Sequence, residues 1–253
     1  MGPNYIALAV PFFFLLMGIE LLVARRRKRS VYRFEDALTN VSCGVTQQII
    51  MLFANGVLFA GYFWIYNHAR LVDLGRHPAV AWIVALVGVD FIYYWWHRWR
   101  HQSNFLWRWL HQMHHSPQRI EVITSFYKHP FEILANSVLS SAILYILVGV
   151  GPEAAAGAVL LSGLAELVYH WNVRTPYWLG FVFQRPESHC VHHEKGVHSF
   201  NYSDLPLWDM LFGTFRNPRV WNGECGFEPE QENHFGDMLL GRDVNALKAG
   251  SPS

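Results

Sequence analysis

The sequence predicts an all-α integral membrane protein, with four to five transmembrane helices and a helical cap on the cytosolic side. Three observations carry that prediction. Hydrophobic residues make up 52% of the 253 and charged residues only 15%, whereas a soluble domain carries about 25% charged residues. Five stretches with at most one or two ionisable groups are long enough to cross ~30 Å of hydrocarbon at ~1.5 Å per residue. The segments left outside those stretches hold most of the chain's 14 histidines. The same composition excludes other classes. A net charge of +1 gives no basic field for nucleic acid, and 16% aromatic content with long apolar runs excludes a disordered chain. Cys43, Cys190 and Cys225 are too few and too far apart for a disulfide framework or a paired-cysteine metal site.

Taken in order, residues 5–24 contain only Glu20 as an ionisable group, and residues 41–66 contain no Asp, Glu, Lys or Arg. Residues 78–96 contain only Asp90, residues 131–150 only Glu132, and residues 154–171 carry Glu166 and His170 near their far end. Gly151, Pro152 and Glu153 form a turn signal that folds the last two stretches into a helical hairpin. A hairpin that crosses fully gives five spans; one that dips and returns gives four. The first stretch has no positive charge before it, so it is expected to stay in the protein as a span rather than be removed as a signal peptide. The basic run Arg25, Arg26, Arg27, Lys28 and Arg29 then lies in the cytosol by the positive-inside tendency. That orientation brings the end of the third span, rich in Tyr93, Tyr94, Trp95, Trp96 and Trp99, back to the cytosolic interface. No repeat or low-complexity linker divides the chain. It is expected to form one membrane domain in which residues 1–77 supply the N-terminal spans and a basic loop, 78–215 the chemical region and 216–253 a tail.

The histidines are not scattered. His97 and His101 are four apart; His111, His114 and His115 form HxxHH; His170 ends the fifth stretch; His189, His192 and His193 form a second HxxHH. Spacings of three and four place side chains on one helix face, so each cluster is expected to present two or three imidazoles to one point. At this histidine frequency HxxHH arises by chance only ~0.04 times per chain, so two copies are not accidental. An isolated histidine is most simply a hydrogen-bonded core or interface residue, which is the expectation for His68, His77 and His234. For the clusters that reading fails, because burying so many polar rings without partners costs several kcal/mol and neutral imidazole is the commonest metal ligand. Nine donors exceed the four that one tetrahedral zinc takes, so a dimetal site is expected. Imidazole suits zinc, iron, copper and nickel alike.

Five further residues are candidate extra ligands or supports. Asp90 lies seven residues before His97, on the same helix face, where it could hold the free N–H of a liganding ring. Glu166 sits one turn before His170, and intramembrane carboxylates are usually functional. Asn172, two residues past His170, could position a metal-bound water. His129 and His198 are possible additional ligands.

At these positions the chain resembles the fatty acid hydroxylase / sterol desaturase superfamily of membrane-bound non-haem di-iron enzymes. The family pattern is HxxxH or HxxxxH, then HxxHH, a lone histidine after a helical hairpin, and a final HxxHH. His97 and His101 match the first box, His111, His114 and His115 the second, His170 the lone position, and His189, His192 and His193 the last. Asp90 and Tyr93 resemble the lead-in to the first box, and the stretch from Asn201 to Phe215 is similar to the segment that follows the last one. The resemblance covers residues 90–215. It implies an oxidoreductase, a monooxygenase in which two Fe2+ ions on all-histidine ligation use O2 to hydroxylate or desaturate a membrane lipid, whether sterol, fatty acyl, alkylglycerol or related. Such a reaction consumes two electrons, and the chain shows no G-x-G-x-x-G fingerprint or Cys cluster to supply them. A separate donor is therefore expected, cytochrome b5-like or a ferredoxin with its reductase, docked through Arg98, Arg100, Arg108, Arg119 and Lys128. The host membrane is expected to be the bacterial inner membrane rather than the endoplasmic reticulum. Two other classes compete: a histidine-rich metal transporter, which should place its ligands near the bilayer midplane, and a zinc-dependent lipid hydrolase, which should need neither O2 nor reductant.

Overall fold

The computed structural model describes residues 6–29, 31–32, 34–68, 71–74 and 77–246. In chain order the elements are α1 (Ile6–Arg26), α2 (Phe34–His68), α3 (Pro78–Gln102), α4 (Asn104–Leu106), a π-helical turn (Trp107–His111), α5 (Gln112–His115), a 3-10 turn (Val122–Phe126) and α6 (Pro130–Ser141). A second π-helical turn (Ala142–Leu147) continues α6, followed by α7 (Pro152–Tyr169), another 3-10 turn (Tyr177–Phe181), α8 (Pro186–His192), α9 (Leu207–Leu211), α10 (Pro229–Glu232) and α11 (Phe235–Leu239). Among the described residues the one extended pairing is an isolated bridge between Glu194 and Cys225. The expected all-helical class is what the chain adopts.

Proline sets several of these starts. Pro78, Pro130, Pro152 and Pro186 each occupy the first turn of their helix, where the fixed φ suits the helix and the missing N–H has no partner to lose. Each apolar stretch becomes a helix, though not with its expected ends. α3 runs past Trp96 to Gln102 and so carries His97 and His101 in its last two turns. Among the described residues two helices are long and apolar enough to cross a membrane, Ala79–Gln102 and Pro130–Leu147. α2 is longer than any span requires, at 35 residues.

The helices meet through small residues. Ala81, Ala85 and Val89 of α3 pack on Ala154, Ala155 and Ala158 of α7, with Ile143, Leu144 and Val150 closing the cluster. A Cβ added at Gly157 would come within 1.7 Å of the Trp82 ring, so α3 and α7 approach closely only because that position is glycine. A second cluster joins Leu16 of α1, Val122 and Leu167 of α7. A third joins Cys43 of α2 to Met113, Tyr127, Phe227, Met238 and Val244, and so ties the tail to the segment carrying the second histidine box.

Candidate metal centre

Four pieces of chain converge on one place: the end of α3, the turn and short helix spanning 107–115, the C-cap of α7, and α8. Their nine histidines form two groups. His97, His101, His111, His115 and His192 make the first, and His114, His170, His189 and His193 the second; within each group the ligand atoms lie within 4.8 Å of one another.

The division follows helical geometry. Residues four apart are offset by about 40° around an α-helix, while neighbours are offset by about 100°. His97 and His101 therefore serve one group, His189 and His193 one group, and His111 and His115 one group, while His114 and His192 each turn to the other. An HxxHH box thus splits two and one between the groups, rather than sending its whole set to one point as the spacing alone suggests. The split ties the groups together, and His115 of the first stacks on His193 of the second with ring centroids 4.1 Å apart. The π-helical turn immediately before α5 adjusts the phase. There the N–H of Gln112 bonds the carbonyl of Trp107, the wide turn often found at functional sites.

Backbone carbonyls hold the outer nitrogens. Nδ1 of His97 donates to the Tyr202 carbonyl at 2.7 Å, Nδ1 of His192 to Phe200 at 2.7 Å, Nδ1 of His170 to Glu166 at 2.8 Å, and Nδ1 of His114 to Tyr127 at 3.3 Å. A ring that donates from Nδ1 keeps a bare lone pair on Nε2. His111 is held instead by the Glu132 carboxylate, 3.0 Å from its Nδ1, and Glu132 is in turn paired with buried Arg100. Gln184 reaches Nδ1 of His189 at 3.0 Å.

The inner nitrogens have the geometry that a metal requires. Nε2 of His97 and Nε2 of His111 lie 2.9 Å apart, Nε2 of His111 and His115 3.2 Å, and Nε2 of His170 and His189 3.2 Å. Two nitrogens bonded at right angles to one ion at ~2.1 Å lie roughly 3.0 Å apart. Both ring nitrogens of His101 and of His193, Nδ1 of His115 and Nε2 of His192 are buried with no hydrogen-bond partner, a costly state for polar atoms unless something else binds them. Protonation is equally disfavoured. Burial pushes His111, His114, His115, His189 and His193 well below the usual imidazole range, and His192 down to about 3. The rings are neutral donors at neutral pH, and the donor set fits two metal ions.

A family model described as fatty acid hydroxylase matches residues 82–214. The chain belongs to that family. Among its relatives, a human (Homo sapiens) alkylglycerol monooxygenase is 32% identical over 218 residues, covering 84% of this chain and 48% of the relative. A sphingolipid C4-hydroxylase of Schizosaccharomyces pombe is 28% identical over 159 residues, 61% of this chain and 53% of the relative. A very-long-chain aldehyde decarbonylase of Oryza sativa subsp. indica is 30% identical over 155 residues, 59% of this chain and 60% of the relative. The chain spans about half the length of the curated relatives it matches. No solved structure matches it.

In this fatty acid hydroxylase chain the supporting residues differ from expectation. Asp90 reaches no imidazole: its two oxygens accept the backbone N–H groups of Asp204 at 2.8 Å and Leu205 at 3.1 Å. It anchors the loop whose Tyr202 carbonyl holds His97, one step further out than helical phase suggested. Glu166 supplies its carbonyl to His170, while its carboxylate pairs with Lys128. His129 is a helix cap, accepting from the N–H of Phe131 at 3.1 Å with its other nitrogen 3.2 Å from the Leu239 carbonyl. The Asn172 side chain is exposed and its backbone N–H bonds Glu20 at 2.7 Å, so it turns away from the histidines. His198 belongs to neither group, although its ring lies 5.1 Å from that of His115 and its buried Nδ1 lacks a partner. His68 and His234 are, as expected, ordinary hydrogen-bonded residues, on the Trp64 carbonyl and Asp237 respectively. The expected docking cations are largely occupied: Arg100 by Glu132, Lys128 by Glu166, Arg119 by Glu121 and Arg98 by the Tyr94 hydroxyl. Sequence reasoning assigned no role to Glu132, although a lone carboxylate in an apolar stretch was a signal for one.

Proposed function

We propose that this chain is the catalytic core of an O2-dependent lipid hydroxylase or desaturase, with iron at both histidine groups. The carrying observation is the pair of buried all-imidazole groups whose inner nitrogens face one another without other partners. His97, His101, His111, His115 and His192 would hold one ion, and His114, His170, His189 and His193 the other. Iron bound there would supply the reduction of O2 and the oxidation of an unactivated C–H bond. The protein's own part is to hold neutral rings in one tautomer through the carbonyls of Tyr202, Phe200, Glu166 and Tyr127, and to keep water from the site by burial. With no carboxylate in either group, the ligands would not offset the charge of an ion bound there.

The substrate would be a membrane lipid of the sterol, fatty acyl, alkylglycerol or related classes, delivered from the bilayer. Support for that setting comes from exposed apolar faces. Leu38, Val41, Val45, Ile49 and Leu52 line one side of α2, and Phe131, Leu134 and Val138 line one side of α6, a helical repeat that water would penalise and lipid would not. On this reading α1, α2, α3 and the α6–α7 hairpin make four or five spans, with the histidines on the cytosolic face of a bacterial inner membrane. A separate electron-transfer protein completes the reaction. The histidines sit at the ends of α3 and α7 rather than in a helix broken at mid-membrane, which favours this reading over a transporter.

The test is to compare lipid extracts by mass spectrometry with and without expression of the chain. A lipid that gains one oxygen atom or loses two hydrogens, dependent on iron, O2 and reductant, is the expected result. A hydrolysed lipid ester formed without O2 would overturn it.

A further inference from the structure

Away from the histidines, the end of α1 meets two other pieces of chain around a cavity of about 260 Å³, lined by Val23, Ala24, Arg27, Arg29, Val31, Arg119 and Asn172. We infer that this cavity is a binding site for a phosphate group, with Arg27 and Arg29 as its cationic wall beside the Arg119–Glu121 pair. Arg27 and Arg29, at the end of α1, and Arg119, from a separate segment, line this one concavity. Arg119 is held in place by the Glu121 carboxylate, with Nε at 3.0 Å and Nη2 at 2.5 Å. Arg27 and Arg29 are exposed and take part in no side-chain hydrogen bond or ion pair among the described residues.

Nor are those two arginines used up in capping α1. Its last carbonyls are already satisfied by backbone N–H groups, Arg27 on Val23 at 3.0 Å, Lys28 on Arg25 at 3.2 Å and Arg29 on Ala24 at 2.9 Å. Buried Glu20 ties the neighbouring segments to α1, accepting from the Tyr32 hydroxyl and from the backbone N–H groups of Val122 and Asn172. The cavity is therefore built from the contact of α1 with the 119–122 and 172 segments and not from α1 alone. Guanidinium forks match phosphate oxygens in geometry as well as charge, and Val23, Ala24 and Val31 offer the apolar side that a glycerol backbone would rest against.

The basic run 25–29 supplies its own control, because Arg25, Arg26 and Lys28 do not line the cavity. The experiment measures equilibrium binding of dioctanoyl phosphatidic acid, dioctanoylglycerol and inorganic phosphate to the purified full chain in neutral detergent. Phosphatidic acid is expected to bind and the neutral diacylglycerol not to. Arg27→Gln with Arg29→Gln should weaken binding by about tenfold or more, while Arg25→Gln with Arg26→Gln, which removes the same charge, should change it by less than about twofold. If inorganic phosphate binds as tightly as phosphatidic acid, the ligand is a free phosphate; if phosphatidic acid binds about tenfold tighter or more, it is a lipid headgroup. Equal weakening by the two double variants would reduce the site to surface charge, and binding of dioctanoylglycerol as tight as that of phosphatidic acid would also overturn it. Metal content and turnover play no part in the measurement, so failure of the oxygenase reading would leave its outcome intact.

Discussion

His114 and His115 are neighbours in sequence, yet they serve different groups. If each group holds one ion, single substitutions should separate the two. His192→Ala is expected to abolish turnover and cut bound iron to about half, by emptying the first group while the chain still inserts. His114→Ala should do the same through the second group, whereas His198→Ala should leave iron content unchanged. Iron per chain after purification checks all three, and undiminished iron in His192→Ala would remove that residue from the site. Asp90→Asn acts on the backbone instead. It replaces one acceptor of the Asp204 and Leu205 N–H groups with a donor, which costs about 1–3 kcal/mol for a buried group and loosens the Tyr202 carbonyl behind His97. Lower thermal stability with most of the iron retained is expected, and complete loss of iron would show that Asp90 acts more directly. At this scale the nine histidines were legible because helical spacing fixes which faces they share. The atoms that orient them were not, because the carbonyls of Tyr202, Phe200 and Tyr127 carry no side-chain signature. Asp90 was misassigned for a related reason: phase gives a face but not the neighbour that meets it.

The elements position the two groups through the contact of α3 with α7, which carry His97, His101 and His170 between them. Gly157→Ala places a methyl against the Trp82 ring, and overpacking of this kind costs about 1–3 kcal/mol. The variant is expected to melt at a lower temperature and to bind less iron, with recovery when Trp82→Ala is added to make room. An unchanged melting temperature in Gly157→Ala would mean that the two helices pack less closely than described. The apolar stretches themselves were legible from composition. Their ends were less so: α3 runs past its interfacial aromatics because Trp99, Arg100 and His101 continue a good helix, and the helix stops only at Ser103, whose hydroxyl accepts from the N–H of Leu106 in α4. The π-helical turn at Trp107–His111 had no sequence signal at all, since it departs from the α-helix by a shift in hydrogen bonding and not by residue type.

For the whole molecule, neutral buried imidazoles link metal binding to acid stability. Burial lowers the pKa values of His111, His114, His115, His189, His192 and His193 in the folded chain, against about 6.5 when unfolded. Below about pH 6.5 the unfolded chain binds more protons, so stability is complete above that pH and is progressively lost as the pH falls below it. Each proton taken up on unfolding adds about 1.4 kcal/mol per pH unit to that loss. Chelator-treated protein should therefore melt at a distinctly lower temperature at pH 5 than at pH 8, and bound iron should raise both melting temperatures; a flat profile would mean that the rings are solvated or already paired. The proposed chemistry requires two ions held by nine imidazoles. Elemental analysis of the purified chain, reconstituted anaerobically with ferrous iron and freed of excess, tests it most directly. Two tightly bound irons per chain are predicted, and one or none would contradict it.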